Sequence, residues 1–187
     1  VDCLIEKLEK QGVLGISVMA LSYRDQHIKE QIKALLEAYK LPKVAVVINT
    51  TGFSIQSFNE TTKVGLFSEL NVPVIQAIMA SCNKQTWEEG SFGLPPTDIA
   101  MNIALPEVDG KIITTVISFK EAQEKDALTD SEIVFYAPNK LGCDFVVQHV
   151  KSWIQLQKKE NKNKNIALIL PNYPSKNSRL ANGVGLD

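Results

Sequence analysis

The chain has 187 residues, 44% of them apolar and 22% charged, with a formal net charge of −1. A chain of this size buries roughly 70% of its unfolded surface, so a true hydrophobic core is expected. The balanced charge provides no basic field for nucleic acid, and no apolar run reaches membrane-spanning length.

Three widely spaced cysteines, Cys3, Cys82 and Cys143, form neither a disulfide framework nor a zinc-knuckle pattern, so a reducing cytoplasm is the expected setting. In chain order, Leu4, Ile5 and Leu8 predict a first helix over residues 2–11, stopped by Gly12. Val13 to Leu21 reads as a buried strand. Asp25 to Tyr39 reads as a helix with Ile28, Ile32, Leu35, Leu36 and Tyr39 at helical spacing, ended by Pro42. Val44 to Ile48 is a β-branched run expected of a strand covered on both faces. A helix over Thr61–Leu70 and a strand over Val72–Ile78 follow.

Residues 81–96 read as a long polar loop, in which Trp87 and Phe92 either cover a flat ligand or pack down on the sheet. Thr97 or Asp98 is expected to cap a short helix through Ala104. Ile112–Phe119 reads as a strand and Glu121–Ser131 as a charged surface loop. A long helix is predicted to open at Pro138. Lys158–Asn165 reads as a solvated helix end, and Ile166–Leu170 as a last buried strand. The alternation predicts an α/β fold: an open, mostly parallel sheet with helices on both faces, of the doubly wound, flavodoxin-like kind. Residues 1–187 are expected to be one such domain, or a piece of one excised from a longer multidomain chain, with the polar loop 81–96 dividing its halves.

Chemistry-bearing motifs are few. There is no Walker loop, no G-x-S-x-G elbow and no metal-spaced histidine pair; His27 and His149 sit within predicted helices. No metal ligands are assigned. Cys82 lies at a strand's carboxyl end, where a thiol could be reactive. In open α/β sheets ligands bind outside the carboxyl ends of strands. That rule selects the loops after Ile48, Ile78 and Leu170, with Asn49, Thr50, Thr51, Ser81 and Asn83, and then Asn172, Tyr173, Lys176 and Arg179. Between Pro106 and Gly110 stand two carboxylates, Glu107 and Asp109. Proline fixes φ and glycine permits angles closed to other residues, so this frame either aims two acids or makes an ordinary Asp-Gly turn. The residues alone leave both readings open.

Two segments carry a resemblance. Gly93 to Ile112, with Pro95-Pro96-Thr97-Asp98-Ile99-Ala100-Met101-Asn102 leading into Leu105-Pro106-Glu107-Val108-Asp109-Gly110, resembles a signature of the large subunit of class I metal chelatases. Asn172 to Asp187 resembles a second segment of that family. Met101-Asn102, and Arg179 with Asn182-Gly183-Val184-Gly185-Leu186-Asp187, are similar to the aerobic cobaltochelatase branch; Ser178, Leu180 and Ala181 depart from its pattern.

The resemblance implies part of a tetrapyrrole-binding subunit in an ATP-dependent complex, with ATP hydrolysed on AAA+ partner subunits. Cobalt is then the substrate metal and hydrogenobyrinic acid a,c-diamide its acceptor in cobalamin biosynthesis. The alternatives are magnesium and protoporphyrin IX, or a non-catalytic domain that docks subunits. This piece is expected to hold no cofactor, to pack against the rest of its own chain and to be inactive alone. Glu107 and Asp109 become candidate proton acceptors and transient oxygen ligands, and Lys176 and Arg179 candidate anchors for substrate carboxylates.

Overall fold

The structure is a computed structural model, in which residues 1–19, 26–38, 43–54, 66–126 and 128–170 are described. The chain divides into two compact units, Val1–Gln155 and Leu156–Asp187. The first holds a four-stranded sheet: β1 (Val47–Asn49), β2 (Val74–Ala80), β3 (Ile112–Lys125) and β4 (Glu132–Pro138). The strands lie side by side in chain order; β1, β2 and β3 are parallel and β4 returns antiparallel to β3. The mixed α/β class, with a mostly parallel sheet, is as expected.

β2 is the central strand of the core because both its faces are covered. On one face Ile75 and Ala77 meet Ile117 of β3, Leu4 and Leu8 of α1 (Asp2–Lys10), and Cys143, Val146, Val147 and Val150 of α7 (Lys140–Lys158). On the other, Ile78 and Ala80 join Val116 and Phe119, and Trp87, Leu94 and Ile103 pack against them. Two register shifts opposite β2 let β3 send Val116 and Phe119 to one face and Ile117 to the other, the expected consequence of β-bulges. Helices α2 (Gln26–Ala38) and α3 (Leu66–Leu70) match the periodic segments expected there, residues 61–65 lying outside the described ones.

At Gly142 the helix α7 approaches the sheet so closely that a Cβ would fall 1.9 Å from the Val116 carbonyl oxygen. One turn of the chain is anchored beside it, the Asn139 amide donating to that same oxygen at 2.9 Å. Burial, with Cys3 next to it, pushes the Cys143 thiol up to about 12, and its Sγ donates to the Ile117 carbonyl at 3.6 Å.

Several expectations are corrected. Residues 13–19 of the supposed Val13–Leu21 strand join no sheet; Leu14, Ile16, Val18 and Met19 are exposed. An apolar run is a strand only where a neighbour completes its ladder. The Val44–Ile48 run yields only a three-residue strand displaced to Val47–Asn49. The polar segment 81–96 is not all loop: Asn83 caps α4 (Lys84–Glu89), its Oδ1 accepting from the Thr86 N–H at 2.7 Å. Within it Trp87 packs on Phe119, ring centroids 5.3 Å apart, whereas Phe92 is exposed. Glu121–Ser131 is not a loop either. It contains the end of β3 and a tight turn in which Asp126 accepts the N–H groups of Leu128 and Thr129.

In the second unit a 3₁₀ turn spans Asn161–Asn163, and Lys162 pairs with Glu160 at 2.8 Å. The expected strand Ile166–Leu170 is not formed there. Ile166, Leu168 and Ile169 are exposed, because nothing among the described residues offers them a ladder. Asn172, Tyr173, Lys176 and Arg179 lie outside the described residues. No helix among the described residues is long and apolar enough to cross a membrane.

Candidate functional site on the crossover between the second and third strands

The chain from Pro96 to Val108 is one helical rod of three parts: α5 (Pro96–Ile99), a π-helix (Ala100–Ala104) and α6 (Leu105–Val108). Its middle is widened for a local reason. Pro106 has no N–H to return to Asn102, and the preceding Leu105 N–H reaches back five residues to Ala100. Pro106 is buried, so the rod is pinned to the fold where its hydrogen-bond ladder is broken. The capping expectation changes accordingly. Pro95 is the cap residue, and Asp98 lies inside the helix with its carboxylate buried. Asp98 accepts the Ser81 N–H at 2.7 Å, which ties the rod to the carboxyl end of β2.

Three polar layers hold the loop after β1, the first to the sheet and the other two to this rod and the turn that follows it. Asn49 and Gln76 are register partners on adjacent strands, and both are buried. The Asn49 amide donates to Gln76 Oε1 at 2.6 Å and to the Thr51 carbonyl at 2.9 Å, and Gln76 Nε2 donates to the same carbonyl at 3.0 Å. Next along the loop, Gly52 touches the π-helix: a Cβ there would sit 3.0 Å from Asn102 Oδ1 and 3.2 Å from the Met101 carbonyl oxygen. Phe53 follows with φ +67°, its N–H bonded to that Met101 oxygen at 2.7 Å. Last, the Ser54 hydroxyl donates to Asp109 Oδ1. Lys111 Nζ lies 3.1 Å from Asp109 Oδ2 and donates to the Phe53 carbonyl at 3.3 Å.

The two predicted carboxylates therefore have different surroundings. Asp109 and Lys111 side chains are only 5% and 2% exposed, a buried ion pair. Glu107, one residue past the proline, faces solvent. The turn beyond it is closed by the Gly110 N–H on the Glu107 carbonyl at 2.8 Å, with Gly110 at φ +72°. The rod runs back from the carboxyl end of β2, where Ser81 holds Asp98, to the amino end of β3, so Glu107 and Asp109 stand at the opposite end of the sheet from Ser81; Asp109 is joined to the loop that carries Asn49 and Thr51 through Ser54.

Lys111 and Ser54 were not singled out by the sequence. Lys111 stands directly after the Asp-Gly turn, and a cation two residues from a carboxylate between apolar segments was a usable sign. Gln76 was legible as an amide in an otherwise apolar strand. Burial, with the Asp98 and Glu121 carboxylates nearby, pushes the Cys82 thiol up, opposite to what an activated nucleophile needs. His149 stacks on Phe145 at 5.1 Å and His27 lies 3.0 Å from Gln31 Nε2. Among the described residues no three His, Cys, Asp or Glu side chains are grouped to hold a metal ion.

The site is thus a Pro-Glu-Val-Asp-Gly turn on a mixed α/β domain with a mostly parallel sheet. The chain belongs to the CobN/magnesium chelatase family: the family model of that description matches residues 1–187. It is 37% identical over 182 residues to the aerobic cobaltochelatase subunit CobN of Pseudomonas aeruginosa, covering 97% of this chain and 14% of that protein. It is 34% identical over 187 residues to the subunit of the same name from Sinorhizobium sp, covering 100% of this chain and 14% of the other. The fold is similar to the catalytic subunit of cobaltochelatase from Mycobacterium tuberculosis, with a TM-score of 0.73 at 20% identity, over 96% of this chain and 14% of that one. The chain thus spans 14% of the length of these curated relatives.

Proposed function

We propose that this chain is part of the large, tetrapyrrole-binding subunit of an ATP-dependent cobaltochelatase, which inserts cobalt into hydrogenobyrinic acid a,c-diamide in the cytoplasm. The observation that carries the reading is the similarity, over nearly the whole chain, to two proteins named as aerobic cobaltochelatase subunits. AAA+ partner subunits supply ATP hydrolysis in this reading, and cobalt is substrate rather than resident cofactor. Insertion requires that ring-nitrogen protons leave and that the hydrated cation lose water. A carboxylate serves both needs, as proton acceptor and as a weak, exchangeable oxygen ligand.

Glu107 is the proposed acceptor, because it faces solvent at the end of a rod held by Pro106. Asp109 is the second member of the pair. Its charge is already compensated by Lys111, so its contribution is to hold the turn that aims Glu107. Asn172, Tyr173, Lys176 and Arg179 are proposed to bind substrate, the two cations pairing with its peripheral carboxylates.

The test is cobalt insertion by the full-length subunit with its partner subunits, followed by absorbance. Glu107→Gln is expected to lower turnover at least tenfold with tetrapyrrole affinity retained. Unchanged turnover removes Glu107 from the mechanism. A second reading, a docking domain without substrate contact, is favoured by one observation: β4 exposes Ile133, Val134, Phe135 and Tyr136 in succession. It predicts that Glu107→Gln and Asp109→Asn both leave affinity and turnover intact, while charged residues in β4 disrupt assembly.

A further inference from the structure

We propose that the ring of Phe53 is a stacking platform for the conjugated face of the macrocycle, an inference that rests on the tetrapyrrole-binding reading given above. Phe53 combines two features that oppose ordinary stability. Its backbone is in the left-handed region at φ +67°, which favours glycine. Its side chain, the most apolar of the loop, is 54% exposed. A residue that serves only the fold has no need of either.

The surroundings hold this conformation from every side. The Phe53 N–H is bonded to the Met101 carbonyl of the π-helix, and its carbonyl receives the buried Lys111 ammonium. Before it, Gly52 lies against Asn102 and Met101, where a Cβ would be a tight fit; after it, Ser54 is buried and bonded to Asp109. Two residues earlier the Thr51 carbonyl takes two amide donors, from Asn49 and Gln76. The Met101 carbonyl and the Lys111 ammonium thus fix the Phe53 backbone, while Asn49, Gln76 and the Ser54–Asp109 bond hold the loop on either side of it. It is tied to the Glu107 turn through Ser54 and Asp109. Local strain that the environment over-determines is characteristic of ligand clamps. A flat, conjugated, largely apolar ring system is what a fixed phenyl face recognises best.

The experiment is an absorbance titration of the full-length subunit with hydrogenobyrinic acid a,c-diamide, for the parent, Phe53→Gly, Phe53→Ala and Phe53→Trp. Amide exchange of β2 and of the Gly110 turn is measured in parallel. Loss of the ring is expected to raise the dissociation constant about tenfold, and Phe53→Trp is expected to restore it. The glycine variant separates binding from folding. Glycine suits φ +67° better than phenylalanine, so protection of β2 should stay at or above the parent while affinity falls. Unchanged affinity in Phe53→Gly, with the parent binding, overturns the platform alone. Loss of β2 protection in both small variants makes the ring structural and also overturns it. A parent subunit that binds no tetrapyrrole overturns the functional reading itself.

Discussion

Replacing Lys111 with methionine removes the cation from a pair whose side chains are 2% and 5% exposed. Met keeps most of the volume, so little cavity forms and the change is mainly electrostatic. It takes the Lys111 ammonium away from the buried Asp109 carboxylate and from the Phe53 carbonyl. Breaking one side of a buried ion pair costs about 3–5 kcal/mol. Taking the lower figure, the opening equilibrium of this corner rises roughly a hundredfold. The assay is amide hydrogen exchange in the full-length subunit, read at Phe53, whose N–H is held by the Met101 carbonyl at 2.7 Å. The double variant Lys111→Met with Asp109→Asn should recover to within about 1 kcal/mol, since no charge is then left buried and the amide can still accept from Ser54. If the single change speeds Phe53 exchange less than about threefold, or if the double variant is no better than the single, the pair does not hold the loop as argued.

Two other positions give sharp expectations. Gly142→Ala should destabilise by about 3 kcal/mol, because helix propensity favours alanine by only ~1 kcal/mol while the new Cβ would sit 1.9 Å from the Val116 oxygen. Exchange across β3 in the same subunit reports it, and a neutral result would mean α7 can shift off the sheet. The turn between β3 and β4 should loosen in acid. The Thr129 and Leu128 N–H groups hold the Asp126 carboxyl below the usual carboxylate range. A folded value below the unfolded one contributes stability above the unfolded value, lost as pH falls through the folded one. Amide exchange or NMR of Leu128 and Thr129 should therefore show the turn intact at pH ~5 and opening only below the ordinary aspartate range; opening already at pH ~5 would refute it.

How far the sequence could be read depended on which interactions are local. Leu4 and Leu8, and Val146 and Val150, declared their helices because one face of each is apolar and buried. β2 was legible because it is covered on both faces. The far half of β3 was not, since its Lys120–Lys125 stretch carries a charged, loop-like composition; β4 was given no element although its Ile133–Tyr136 run is apolar and β-branched or aromatic. The runs at residues 13–19 and 166–170 failed for the opposite reason, apolar segments with strand character and no ladder. At the site, the Pro106–Gly110 frame was visible, but the ion pair that splits Glu107 from Asp109 in character was not. Ser54, which completes it, is 55 residues away from Asp109 in the chain, and nothing local marks such a partner.

The π-helix has a consequence for the length of the chain rather than its composition. One wide turn carries an extra residue, and each residue in an α-helix advances the side-chain direction by about 100°. The segment from Ala100 to Ala104 is therefore a phase shifter between Asp98, anchored to β2, and Pro106, anchored in the fold. Removing a single residue there would leave both anchors present but out of phase, and would turn Glu107 from its present direction. The two anchors fix the count of residues between Pro95 and Gly110, and not the side chains on the rod's exposed side other than Glu107.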